Sequence, residues 1–137
     1  MSGSFLITSD KPDLEYDLQG FMGRAMSRAE KALDKIAKKL KVTALNDFVS
    51  LDEGDQELMR EMIEEGGGDA SEIEITPPAW FDPADGLKTV RALRDHLIND
   101  PKAVGKSAEI VAELTELETT LTLIATKKGR FRFFIDY

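Results

Sequence analysis

Cysteine is absent from the 137 residues, and histidine occurs once, at His96. The first absence removes disulfides, thiolate nucleophiles and zinc–thiolate centres in one step. The second removes any site that needs two imidazoles from one chain. Apolar runs are short, and none approaches the roughly eighteen consecutive apolar residues of a membrane span. Met1 to Thr8 holds no basic stretch followed by a long apolar one, so a secretory leader is not expected. Glycine stands at position 3 rather than 2, which misses the myristoylation pattern. Together these point to the cytoplasm and to a chain that needs neither cofactor nor metal. Basic residues are also in deficit, 18 Lys and Arg against 26 Asp and Glu, for a formal net charge of −8.

The acidity is concentrated. Asp52, Glu53, Asp55, Glu57, Glu61, Glu64, Glu65, Asp69, Glu72 and Glu74 face one base in that stretch, Arg60. Such a surface repels nucleic acid and anionic membrane, and it attracts a basic protein over about a Debye length. It also keeps a protein soluble with no further role. Hydrophobic residues at 42% and charged residues at 32% fit a single globular domain over 1–137 with one core.

Phe5-Leu6-Ile7-Thr8, closed by Ser9-Asp10-Lys11-Pro12, predicts a strand over about 4–8. Met22, Met26, Ala29, Leu33, Ile36 and Leu40 recur at alternating spacings of four and three, which predicts one long helix over about 18–41. Arg24, Arg28, Lys31, Lys35 and Lys38 follow the same rhythm two residues on, about 200° round the helix, and are expected to face away from the core. Ser50 and Glu53 form a capping-box pattern before a helix over about 51–64, with Leu58, Met59, Met62 and Ile63 expected inward. Gly66-Gly67-Gly68 ends it.

Glu72-Ile73-Glu74-Ile75-Thr76 alternates as a strand does, over about 71–76, and Pro77-Pro78 closes it. Asp82 then caps a helix over about 83–99 that opens on Pro83, where the missing N–H costs nothing. Ser107 is the expected cap of a helix over about 107–128, and Phe131, Phe133, Ile135 and Tyr137 mark one face of a strand over about 130–137. The expected architecture is α+β, a small three-stranded sheet packed against about four helices.

Candidate site residues are few. Trp80 and Phe81, between Pro77-Pro78 and Asp82-Pro83, are either recognition anchors or rings that seal the core before a helix cap. His96 reads as a partly exposed structural histidine, since a general base needs a neighbour that sequence does not supply. The triple glycine is followed by Asp69-Ala70-Ser71-Glu72, not by the Lys-Ser/Thr of a phosphate loop, and carboxylates beside it would repel phosphate. The acidic run lacks the ligand spacing of a calcium loop. Nothing selects a pair of carboxylates for glycoside hydrolysis. The basic stripe, interrupted by Glu30 and Asp34, reads as a solvated face, or as a surface that meets the acidic run of a second copy.

The segment from Trp80 to Leu93, with the closing Arg130-Phe131-Arg132-Phe133-Phe134-Ile135-Asp136-Tyr137, resembles a family of small uncharacterised bacterial proteins. The resemblance covers mainly the C-terminal half and carries no established activity; size and acidity suggest an immunity partner of a secreted toxin. The leading expectation is a non-enzymatic module that presents Asp52, Glu53, Glu57, Glu61, Glu64 and Glu65, with Trp80 and Phe81, to a basic protein. Neither nucleic acid nor membrane is an expected partner, and the chain is expected as a monomer or homodimer. The alternatives are a small-ligand protein or enzyme whose polar groups converge only in the fold, and a structural homo-oligomer.

Overall fold

The hydrophobic pattern resolves into an α+β fold. The computed structural model describes residues 4–50, 53–68 and 79–136. In chain order these form β1 (Ser4–Ser9), a 3-10 turn (Pro12–Leu14), α1 (Glu15–Leu18), α2 (Arg24–Arg28) and α3 (Glu30–Leu40). A second 3-10 turn (Leu45–Phe48) precedes α4 (Glu53–Glu65), α5 (Pro83–Asn99), α6 (Ser107–Thr126) and β2 (Phe131–Asp136). Six helices and a two-stranded antiparallel sheet therefore stand, among the described residues, where four helices and three strands were expected. The expected strand over 71–76 lies outside the described residues.

β1 and β2 pair from Ser4↔Asp136 to Ser9↔Phe131. Alternation sends Phe5, Ile7, Phe131 and Phe133 into the core, while Leu6, Thr8, Arg132 and Phe134 form a half-buried outer face. Single-residue bridges occupy the edges: Phe5 with Gly23, Phe131 with Phe81, and Phe133 with Val49. The Phe81–Phe131 bridge has both hydrogen bonds, at 2.8 and 3.0 Å.

The long helix expected over 18–41 is broken into α1, α2 and α3. The cause is Gly23, which exchanges backbone hydrogen bonds with Phe5 (2.9 and 3.2 Å) and therefore belongs to the sheet edge. A Cβ at Gly23 would lie 3.0 Å from that of Phe5, so the approach needs glycine. A second break falls at Ala29, whose φ of −96° and ψ of 13° leave the helical region. The apolar rhythm survives both breaks for Met26, Leu33 and Ile36, which are buried, but Met22 is 48% exposed. The basic residues Arg24, Arg28, Lys31, Lys35 and Lys38 are all exposed, as their phase requires.

α5 packs along α6, and Val90, Leu93, Leu114, Leu117 and Leu121 from the two helices are buried in the core. Asp82 caps α5 as expected, its Oδ1 accepting from the Ala84 amide at 2.9 Å, with Pro83 as the first helical residue. Ser107 is not a cap: it is buried inside the first turn of α6, and the cap position is Lys106, in the left-handed region at φ 55°. Phe48, Phe81, Phe131 and Phe133 meet with ring centroids 5.2–6.2 Å apart, closing the core beneath the sheet.

Two compact units result, one of Met1–Val49 with Trp80–Tyr137 and one of Ser50–Ala79. The core described above belongs to the first. In the second, the Ser50 hydroxyl accepts from the Ala79 amide at 2.8 Å. Its helix α4 ends at Glu65, and φ of +84° at Gly67 lets Gly68 donate back to the Ile63 carbonyl at 3.0 Å.

Candidate functional site

On α4 the apolar and acidic residues interleave. At 3.6 residues per turn Leu58 and Met62 lie about 40° apart, and Glu65, Glu61 and Glu57 follow down one flank at about 40° intervals. Leu58, Met62, Met59 and Ile63 share one arc of about 140°, with Glu65 at its edge, about 20° from Leu58. The expectation that Leu58, Met62 and Ile63 face inward is nonetheless overturned: they are 56%, 63% and 36% exposed. The side chain of Met59 lies outside the described residues.

The acidic positions divide in the same way. Glu57, Glu61, Glu64 and Glu65 are exposed on α4, and Glu64 pairs loosely with Arg60 at 3.8 Å. Glu53 is the first residue of α4, while Asp52 lies outside the described residues, as do Asp69, Glu72 and Glu74. Trp80 and Phe81 belong to the other unit. Phe81 is bridged to Phe131 and packs edge-on against Phe48, 5.4 Å between centroids. Trp80 is half-buried, with the Arg132 guanidinium 5.1 Å from its ring centroid.

Three further polar arrangements are built into the first unit. Glu113 of α6 accepts from the Ala25 and Met26 amides at 3.0 and 2.9 Å, capping α2, whose own cap residue Gly23 has no side chain to do so. Glu118 of α6 bridges Arg91 and Arg94 of α5 at 2.8 and 2.6 Å. The hydrogen bonds from Arg94 and then Arg91 hold its carboxyl below the usual range, and the same bond raises Arg94. Asp34 is the opposite case: burial, then the neighbouring Asp47, pushes its carboxyl up, and Lys38 only partly offsets this. Its Oδ1 is shielded with no hydrogen-bond partner among the described residues.

An apolar groove of about 290 Å³ runs beside β1, lined by Leu6, Thr8, Leu18, Phe21, Met22 and Phe134, with Glu15 at its margin. His96 is half-buried in the last turn of α5, where its carbonyl accepts from the Asp100 amide. Among the described residues no three His, Asp or Glu side chains gather as metal ligands, and no helix is long and apolar enough to cross a membrane.

No protein-family model, curated protein or solved structure matches this chain. The surfaces themselves therefore carry the functional reading. Sequence reasoning found the acids of α4 and missed the ridge beside them. Nothing in the sequence signalled the ridge, because Leu58, Met59, Met62 and Ile63 share one side of the helix, as buried residues would. Glu113 gave no signal either, since its partners are 87 and 88 residues away.

Proposed function

We propose that this chain is a non-enzymatic protein-binding module of the immunity or inhibitor type, with α4 as the surface that receives a basic protein. The exposed Leu58–Met62 ridge beside Glu57, Glu61 and Glu65 carries this reading. An apolar centre with a charged margin is the anatomy of a recognition patch: the centre supplies affinity, and the margin supplies on-rate and discrimination. Solubility alone accounts for the carboxylates but not for two large apolar side chains left in water among them. A basic partner with an apolar cleft fits both halves. Nucleases are one such class, because their grooves must attract phosphate.

Capture from the source organism tests this, comparing wild type with E57K/E61K/E64K and with L58S/M62S. One stoichiometric basic protein is expected on the wild type, and both variants should lose it. Capture that survives the triple charge reversal would overturn the electrostatic reading.

The groove beside β1 favours a second reading, a small apolar ligand held between Leu18, Phe21 and Phe134. Protection of the Met22 thioether from oxidation by a bound ligand would support it.

A further inference from the structure

The first unit carries an apolar groove with basic residues at its margin. Ala25 of α2, Ala29 at the break and Ala32 of α3 line this open groove of about 510 Å³ with the loop residues Ala103, Val104 and Gly105. Its floor is apolar and made of small side chains. Its margin is basic, formed by the exposed Arg28 and by Lys106, which the left-handed backbone at φ 55° places at the entrance to α6. Small floor residues let a helix approach closely, as the amphipathic helix-in-groove mode requires.

We infer that the occupant of this groove is α4 of a second copy of the chain, with Leu58 and Met62 seated against the alanines and Glu61 and Glu65 meeting Arg28 and Lys106. The inference rests on reading α4 as a docking face and adds that the chain itself supplies one basic partner for it. Charge selects this occupant. The ridge is flanked by acids and the groove by bases, so ridge against ridge or groove against groove brings like charges together. A 13-residue helix is about 20 Å long, and a single such contact lies below the roughly 1,200 Å² of a standard interface. Self-association is therefore expected to be weak, at roughly tens to hundreds of micromolar.

Light scattering and sedimentation over a concentration series test the pairing. Wild type should self-associate, and its apparent Kd should rise at least about fivefold between about 50 mM and about 500 mM NaCl. E61K/E65K reverses the helix, and R28E/K106E reverses the groove. Each variant alone should remain monomeric while keeping its circular dichroism spectrum. An equimolar mixture should associate, because reversed helix meets reversed groove and native helix meets native groove. L58Q/M62Q should weaken association at every salt concentration. A wild type that is monomeric up to about millimolar concentration overturns the inference, as does self-association unchanged in both charge variants. A monomeric wild type that still captures a basic protein overturns this pairing alone. Self-association with no captured protein, lost in E61K/E65K, leaves the pairing standing without the proposed foreign partner.

Discussion

Replacing Gly86 with alanine sets two known effects of opposite sign against each other. In an ordinary helix interior the change stabilises by about 0.5–1 kcal/mol, because alanine loses less backbone entropy. Gly86 of α5 is not ordinary. A Cβ there would lie 2.6 Å from Cζ of Phe131, 2.9 Å from its Cε1 and 3.2 Å from Cδ1 of Leu121. Carbon atoms in contact prefer about 3.5–4.0 Å, so something must move by close to 1 Å. Phe131 has little freedom to do so: it is fully buried, its backbone is doubly bonded to Phe81, and Phe48 and Phe133 lie 5.2 Å from its ring centroid. Overpacking of this kind costs about 1–3 kcal/mol. A 2.6 Å contact belongs in the upper half of that range, so after the helix gain is subtracted G86A should be less stable than wild type by about 1–2.5 kcal/mol, or roughly 3–10 °C in Tm. Urea unfolding followed by fluorescence of Trp80, which belongs to the same unit, reads the effect directly. F131L in the G86A background should recover part of the loss, giving a measurable coupling in the double-mutant cycle. A G86A protein as stable as wild type, or more so, would refute the argument that the helix and the aromatic cluster leave no room for a methyl group.

Three further outcomes are expected. E113A should destabilise by about 1–2 kcal/mol and speed hydrogen exchange at Ala25 and Met26, with E113Q intermediate; exchange unchanged at those amides would remove Glu113 as the cap of α2. The Glu118 carboxyl is depressed in the folded state, so its contribution is present above the ordinary carboxylate pKa and lost as pH falls through the folded value. E118Q should therefore cost roughly 0.5–1 kcal/mol at neutral pH, since the pair is partly solvated, and flatten the acid limb of the stability profile. For Asp34 the sign is reversed. Its folded pKa is raised, so its penalty is full above that value and fades as pH falls through it. D34N should gain up to about 1 kcal/mol at pH 7 and little near pH 3, as read from urea midpoints; a loss at pH 7 would contradict the reading.

Much of this fold was legible where local chemistry and tertiary packing agree. Asp82-Pro83 announced α5 to the residue, and alternation located Phe131 and Phe133 on the buried face of β2. The long helix failed because an apolar rhythm does not register a glycine whose role is set by a distant strand; only Phe5 reveals why Gly23 leaves the helix. Ser107 fits the side-chain preference of a cap, yet the chain enters α6 through a left-handed lysine, and the serine is buried in the first turn. The acids of α4 were legible as composition. Their meaning as the margin of an exposed ridge needed the rotation of Leu58 and Met62 to be fixed.

The pairing of β1 with β2 also sets a timetable for synthesis. Ser9 and Arg130, joined by a 2.8 Å hydrogen bond, are 121 residues apart. At roughly 5–20 residues per second, the ribosome needs about 6–24 s to deliver that partner. Throughout this delay Phe5 and Ile7 lack the strand that shelters them, while α5 and α6, joined by a short loop, can already find each other. The nascent chain therefore presents an unpaired apolar strand to its surroundings until β2 emerges.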